Sequence, residues 1–128
     1  MPTIFSRIIA GEIPCHKVWE DSRHLAFLDI NPWGEGHTLV IPKTAHEYLF
    51  DMPEADYLAL HKAAQGVAQL LKIRLGCKRV VSFVVGYEVP HVHIHLLPTN
   101  QISDFLPPGS RGMNPKPDFA ALLKRITG

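Results

Sequence analysis

The sequence predicts an α+β domain in which a five-stranded antiparallel sheet carries one long helix on one face, with a short helix near the N-terminus. Five short segments, two of them rich in β-branched residues, are bounded by turn formers, as is typical of strands. Between the third and fourth of them, residues 52–75 carry apolar side chains at intervals of three and four, the period of an amphipathic helix. The 128 residues, 46% of them hydrophobic and 20% charged, suit one domain with a packed interior.

The N-terminal part of the chain is predicted to form a short helix, a hairpin and a third strand. The amphipathic segment Ile4–Ala10 ends at Gly11, which suits a helix C-terminus. Strands are predicted at Lys17–Glu20 and Leu25–Ile30, on either side of a polar turn. A third strand, His37–Ile41, follows a segment dense in turn formers and stops at a proline.

The long helix is predicted over Met52–Leu75, with Asp51 as the capping residue at its start and Gly76 at its end. Its apolar stripe is expected to lie on the sheet. Arg79–Val85 and Val92–Leu97 are predicted as the fourth and fifth strands.

The C-terminal part of the chain has a different composition. Residues 99–117 are rich in Pro, Gly, Ser and Asn and are predicted to form a loop or an arm. The apolar residues available to anchor it are Ile102, Phe105, Leu106 and Met113. Asp118–Ile126 is predicted to form a short helix with its apolar residues on one face.

Composition and charge exclude several classes of function. Thirteen Lys and Arg balance twelve Asp and Glu, for a net charge of +1, which is unlike a protein that binds nucleic acid backbones. Two cysteines are too few for a disulfide scaffold and lack metal-type spacing, so a reducing environment is expected. The first fifteen residues fit no signal peptide, and the longest apolar run, Val80–Val85, is far short of the roughly 20 residues that span a bilayer. A cytoplasmic protein without membrane or nucleic acid partners is therefore expected.

Three of the eight histidines fall within five residues: His91, His93 and His95. They alternate with apolar residues, so a strand places the three imidazoles on one face and the aliphatic side chains in the core. At a rise of roughly 3.3 Å per residue, the Cα atoms of His91 and His95 are about 13 Å apart. All three side chains therefore cannot comfortably bind one ion.

Three interpretations of this cluster remain open. A metal site needs two neighbouring histidines and further ligands from elsewhere in the chain. A purely structural role needs partners for six ring nitrogens. In nucleophilic catalysis, a neutral imidazole attacks phosphorus while its neighbours stabilise developing charge, which suits a side chain whose ordinary pKa is near 6.5.

The heptapeptide at residues 91–97, His-Val-His-Ile-His-Leu-Leu, resembles the signature of the histidine triad nucleotide-binding (HIT) family, in particular its Hint-like branch. Other segments are similar to the family in the same order along the chain, so the resemblance covers roughly residues 3–98. These segments are residues 3–5, 11–14, 26–30, 36–43 and 86–91.

The resemblance implies a hydrolase that acts on the α-phosphate of a nucleotide derivative through a covalent nucleotidyl-histidine. The substrate would be a nucleoside phosphoramidate or similar AMP or GMP conjugate, or a dinucleoside polyphosphate. By this resemblance His93 is the nucleophile, His95 contacts the phosphate, and the backbone of His91 holds the proton on the far nitrogen of His93. His37 completes the histidine group. The last triad position is histidine rather than the glutamine of the transferase branch, which favours hydrolysis.

The resemblance also assigns residues to the substrate. Asp29 would accept hydrogen bonds from both ribose hydroxyls, and loop amides near Gly86, with Glu88 nearby, would face the leaving group. The residues implied for the nucleoside pocket are Phe5, Ile8, Phe27, Asp29 and Ile30. Apolar walls suit a purine. Without the resemblance, the two phenylalanines and Ile8 fit a plain core equally well.

Assembly and cofactors follow from the same resemblance. It implies a homodimer, with residues 1–98 as the HIT-like domain and residues 99–128 as an extension packed on, or exchanged with, the partner subunit. No cofactor or metal is expected, because the Cys-x-Phe-Cys of zinc-binding members is here Thr3-Ile4-Phe5-Ser6. A rival function is a non-enzymatic purine-nucleotide-binding regulator or scaffold, because residues 80–85 are apolar where the family often has a polar segment.

Overall fold

A five-stranded antiparallel sheet forms the frame of the fold in the computed structural model, which describes residues 2–105 and 115–128. The strands are β1 (Lys17–Glu20), β2 (His24–Leu28), β3 (Thr38–Pro42), β4 (Arg79–Phe83) and β5 (Ile94–Thr99). Their order in the sheet is β1-β2-β3-β5-β4. The helices are α1 (Ile4–Ile9), α2 (Glu54–Leu75) and α3 (Phe119–Thr127), with 3-10 turns at Leu49–Asp51 and Ile102–Asp104. The predicted fold class is confirmed.

The two faces of the sheet have different neighbours. Because side chains alternate along a strand, every second residue of the central strands packs under α2. This core contains, among others, Ala26, Val40, Ile94 and Leu96 from the sheet and Leu60, Ala64, Val67 and Leu71 from α2. The opposite face carries Leu25, Phe27, Leu39 and Ile41, which pack with Phe5 of α1. The long helix therefore leaves this second face available for a site.

The start of α2 differs from the prediction that Asp51 caps it. Asp51 instead closes the 3-10 turn, where its N–H donates to the carbonyl of Tyr48. The N-cap position is Pro53, which makes no side-chain capping bond. At the other end Gly76 caps the helix with a φ of +69°, as predicted, and its N–H donates to the carbonyl of Lys72.

The last strand begins two residues later than predicted. Val92 donates its N–H to the carbonyl of His46, which lies outside the sheet, so ladder pairing starts only at Ile94. The predicted alternation still holds, because Val92 and Ile94 lie in the core under α2 while the rings of His93 and His95 face the other way.

The C-terminal helix packs on the body of this chain. Asp118 caps it by accepting from the N–H of Ala121 at 3.1 Å, and Leu122 and Ile126 are buried in the core shared with α2. Part of the predicted loop, residues 106–114 with Leu106 and Met113, lies outside the described residues. The homodimer and the packing of the extension on a partner stay predictions. No helix in the described part of the chain is long and apolar enough to cross a membrane.

Candidate active site

A straight row of side chains crosses the face of the sheet opposite α2. Phe27 of β2 is paired with Leu39 of β3, Leu39 with His95 of β5, and His95 with Phe83 of β4. Neighbouring strands lie about 4.8 Å apart, so the row extends over about 14 Å. The register of the sheet thus fixes which aromatic side chains flank the histidine cluster.

A pocket of about 550 Å³ lies over this row. Most of the residues predicted for the site line it together: Phe5, Ile8, Phe27, Asp29, Ile30, Gly86, Glu88, His93 and His95. The other two, His37 and His91, are each 1% exposed and lie behind the lining. Phe5 and Phe27 belong to the second core as well as to the pocket wall, so the two interpretations of these side chains are compatible.

His93 is held in one tautomer by the backbone just before β5. Its Nδ1 lies 2.7 Å from the carbonyl oxygen of His91. A carbonyl only accepts, so Nδ1 carries the proton and Nε2 keeps its lone pair. The ring is 6% exposed and packs edge-on against Phe5, with centroids 4.8 Å apart. In the neutral ring, the nitrogen of His93 that lacks a proton is therefore Nε2, at the pocket wall.

His95 is held in the other tautomer through His37. The backbone N–H of Trp33 donates to Nδ1 of His37 at 3.0 Å, so the proton of the His37 ring sits on Nε2. That Nε2 donates to Nδ1 of His95 at 2.9 Å. Nδ1 of His95 is thereby an acceptor, and its proton sits on Nε2. At the pocket, Nε2 of His95 is therefore a hydrogen-bond donor, whereas Nε2 of His93 carries the lone pair in the neutral ring.

Burial keeps these imidazoles uncharged. Burial, assisted by repulsion from His93, lowers the pKa of His37 to about 4. Burial likewise lowers the pKa of His95 to about 3, assisted by repulsion from His93 and His37. Both rings are therefore neutral near pH 7, in agreement with the tautomers that the hydrogen bonds assign.

His91 supports the site from behind. Its Nε2 donates to the carbonyl of Pro42 at 2.8 Å, and burial lowers its pKa. Its Nδ1 is buried without a hydrogen-bond partner among the described residues. Three of the six ring nitrogens of the triad thus have partners in this part of the chain. A purely structural role does not account for the two Nε2 atoms that His93 and His95 hold at the pocket.

Asp29 directly follows β2, contacts His37 and lines the pocket. Its N–H donates to the carbonyl of His37, and its Oδ1 accepts from the N–H of Asn31 at 2.8 Å. Its Oδ2 lies 3.7 Å from Nε2 of His37. The side chain is 18% exposed, so the carboxylate remains accessible to a ligand.

Asp29, His37 and His95 are also close enough to be considered as metal ligands, since one donor atom from each lies within 4.8 Å of the others. The two imidazoles, however, direct Nε2 and Nδ1 at each other in a hydrogen bond. The second nitrogen of His37 already accepts from Trp33. An ion at this cluster would have to break the hydrogen bond that sets the tautomer of His95.

Comparison with known proteins identifies the family. A model of the HIT domain matches residues 10–102. The chain belongs to the HIT family. It is 44% identical over 100 residues to an uncharacterized HIT-like protein of Methanocaldococcus jannaschii, covering 74% of this chain and 77% of that protein. It is 39% identical over 100 residues to the protein hit of Bacillus subtilis, covering 74% and 69%.

Solved HIT structures share the fold. A zinc-bound histidine triad family protein from Mycobacterium smegmatis superposes with a TM-score of 0.83 and 28% identity, over 97% of this chain and 89% of that one. A hypothetical histidine triad nucleotide-binding protein from Sulfolobus tokodaii gives 0.82 and 27%, again over 97% and 89%. Thr3 and Ser6 stand where zinc-binding members of the family have two cysteines. In this HIT protein the two residues form a reciprocal capping box at the start of α1.

Among the pocket residues of this HIT protein that were not predicted from the sequence, two are aromatic. Trp33, in the turn after β2, and Phe83, at the end of β4, line the same cavity as His93 and His95. The register could have revealed Phe83, since it is the direct cross-strand partner of His95. That inference requires knowing that β4 pairs with β5, and the local sequence pattern of each strand does not predict its partner.

Proposed function

We propose that this HIT protein hydrolyses purine nucleotide derivatives at the α-phosphate through a covalent intermediate on His93. One observation carries the proposal: the hydrogen bond from Nδ1 of His93 to the carbonyl of His91 leaves Nε2 as a lone-pair nitrogen at the pocket wall. A neutral imidazole positioned in this way is a nucleophile.

The first step forms a bond between Nε2 of His93 and phosphorus while the bond from phosphorus to the leaving group breaks. The leaving group takes a proton from solvent at the open end of the pocket. The His93 ring then carries positive charge, which the carbonyl of His91 stabilises through the Nδ1 proton. The Nε2 proton of His95 faces the charge that develops on the phosphoryl oxygens.

In the second step water attacks the phosphorus, and the bond to Nε2 breaks. The products are the nucleoside monophosphate and the neutral His93 ring, and the attacking water gives up its proton to solvent. Each step is a displacement at phosphorus, so the chain supplies a nucleophile, a donor and positioning. No metal ion is required by this scheme.

The pocket supports a purine nucleoside as the bound group. Phe5, Ile8 and Phe27 form an apolar wall, and a flat base buries its faces against such side chains. Asp29 provides a carboxylate for the ribose hydroxyls, since its side chain is partly exposed beside this wall. A homodimer and a cytoplasmic setting are part of the same proposal.

The direct test is release of AMP from adenosine 5′-phosphoramidate by the full chain after treatment with a chelator. We expect turnover by the wild type and loss of at least about 10⁴-fold in His93→Ala. His61→Ala is the matched control, because that histidine is exposed on α2 away from the pocket. Activity that returns only with added metal would contradict the proposal.

A nucleotide-binding regulator is the second candidate. The exposed apolar side chain of Val85 beside Gly86 favours it, because this side chain offers no hydrogen bond to a leaving group. Tight binding of AMP by both wild type and His93→Ala, without turnover by either, would establish this function instead.

A further inference from the structure

An aromatic wall, formed by Trp33, Phe83 and Phe105, stands beside His95. The rings of Phe83 and His95 are stacked, with centroids 4.5 Å apart and planes 5° apart. Trp33 stacks on Phe83 at 4.9 Å and 22°, and Phe105 meets Phe83 edge-on at 5.3 Å. The proposed reaction needs Nε2 of His95 but does not itself require three aromatic rings at this position.

The wall lies at the end of the pocket away from the proposed nucleoside subsite. Phe27 is two strands from His95 on one side, and Phe83 is one strand from it on the other. Ring contacts give the same order, since His93 packs on Phe5 and His95 packs on Phe83. A nucleoside bound at one end, with its α-phosphate at the histidines, directs its leaving group toward Phe83.

Two of the three wall residues, Trp33 and Phe83, are part of the accessible pocket rather than packing behind it. Trp33 and Phe83 are half-buried and line the same cavity as the two catalytic imidazoles. Exposed Val85 extends this apolar surface at the rim. A planar group that leaves the α-phosphate on this side meets the side chains of Trp33 and Phe83, and aromatic rings pack favourably against one another.

The charged side chains that line the pocket limit which leaving groups it can bind. Among the described residues that line the pocket there is no lysine or arginine, and the charged side chains are Asp29 and Glu88. A polyphosphate or pyrophosphate leaving group needs cationic partners, and Lys116, which donates from Nζ to Oδ1 of the pocket residue Asn31 at 3.2 Å, does not itself line the pocket. A neutral or cationic group is compatible with the two carboxylates.

We propose that the aromatic wall is the leaving-group subsite and selects nucleoside 5′-phosphoramidates of aromatic amines. The inference rests on the proposed function, because it assigns the second half of the same substrate. In the step concerned, Nε2 of His93 bonds to phosphorus, the phosphorus–nitrogen bond breaks, and the amine leaves with a proton from solvent. Its ring stacks on Trp33 and Phe83.

The test compares two adenosine 5′-phosphoramidates that differ in one ring. One carries 2-phenylethylamine and the other carries 2-cyclohexylethylamine, with the unsubstituted phosphoramidate as the reference for the chemical step. For the wild type we expect kcat/KM to be about tenfold higher for the aromatic amine, as one good stacking contact gives. In Trp33→Leu this ratio should fall toward one.

A matched control and a binding measurement keep the test independent of turnover. Tyr87→Leu removes an aromatic ring that is 93% exposed in the neighbouring loop, and it should keep the wild-type ratio. Calorimetry on His93→Ala measures the affinities of both amides without cleavage. We expect the aromatic amide to bind about tenfold more tightly, and we expect Trp33→Leu in that background to abolish the difference.

The outcomes separate this inference from the proposed hydrolysis. Turnover of the unsubstituted phosphoramidate with equal kcat/KM for the two amides would overturn the aromatic subsite and leave the hydrolase intact. Aromatic preference in binding without turnover of any substrate would support the subsite and overturn the hydrolase. Faster cleavage of diadenosine triphosphate than of every phosphoramidate would overturn the subsite, because that leaving group is a polyanion.

Discussion

Nε2 of His37 lies 2.9 Å from Nδ1 of His95, and this hydrogen bond decides what His95 presents to the pocket. The family resemblance implies that His37 completes the histidine group around the phosphate. In the structure its ring is fully buried behind His95, and its other nitrogen accepts from the backbone of Trp33. His37 is therefore a positioning residue that acts through His95.

Replacing His37 tests this positioning role. We predict that His37→Leu lowers kcat about 10²-fold, the scale expected when a catalytic group loses its orientation, while KM changes little. His37→Gln should retain more activity, because its amide N–H reaches toward Nδ1 of His95. Nitrogen-15 NMR of the imidazoles should show His95 protonated on Nε2 in the wild type. An unchanged tautomer and unchanged kcat in His37→Leu would contradict the role.

The carboxylate of Asp29 is predicted to bind the ribose. Asp29→Asn should weaken binding of AMP about tenfold or more, since hydrogen bonds to a charged group contribute about 1.5–3 kcal/mol. Calorimetry with AMP and 2′-deoxy-AMP separates this contact from an indirect effect through His37. The wild type should prefer the ribonucleotide, and the variant should lose that preference. Equal loss of affinity for both ligands would point instead to the contact with His37.

Stability is predicted to fall in acid because of the buried histidines. The pKa values of His37 and His95 in the folded state are about 4 and about 3, against 6.5 for the unfolded chain. Between these values the unfolded state binds more protons, so the free energy of unfolding decreases as pH falls from about 6.5 toward 3. Their stabilising effect is complete above pH 6.5.

The size of this effect is checked by urea unfolding at several pH values. Lowering the pKa of His37 from 6.5 to about 4 corresponds to a loss of about 3 kcal/mol in the free energy of unfolding between neutral pH and pH 4. His37→Leu should therefore show a shallower dependence on pH than the wild type. Parallel curves for the two proteins would contradict the assigned pKa of His37.

The C-terminal helix is predicted to contribute to the stability of the whole domain, although the family match ends at residue 102. Ile126 is 0% exposed and packs in the core with α2, so Ile126→Ala should cost about 2–5 kcal/mol in the free energy of unfolding. The neighbouring Arg125→Ala removes an exposed ion pair with Glu35 and should cost less than about 1 kcal/mol. Similar costs for both variants, measured by chemical denaturation, would show that α3 folds apart from the core.

Much of the fold followed from periodicity in the sequence. The alternation around His93 predicted which side chains face the pocket, and this held although β5 begins only at Ile94. The late start depends on a hydrogen bond between Val92 and the carbonyl of His46, a contact between distant segments that no local pattern contains. Asp51 has the right chemistry for a cap, but the 3-10 turn before α2 uses it instead.

The site was predictable only as far as its motif extends. The triad, the apolar wall and the bond from His93 to the backbone of His91 were expected from the resemblance, whereas the tautomer of His95 required the positions of His37 and of the backbone N–H of Trp33. Trp33 lies in a turn whose residues predict a change of direction but not the direction of a side chain. Phe83 reads as a plain strand residue until the register places it opposite His95.

The central claim is the covalent intermediate on His93, and capturing it is the most direct test. Wild-type protein is mixed with excess adenosine 5′-phosphoramidate, quenched in alkaline denaturant within the first turnover, digested and analysed by mass spectrometry. Alkali is used because a phosphorus–imidazole bond is labile in acid. We predict an adenylyl group on the peptide that contains His93, localised to that residue and absent from His93→Ala. AMP release at the wild-type rate with the adduct on another residue, or with His93→Ala equally active, would contradict the account.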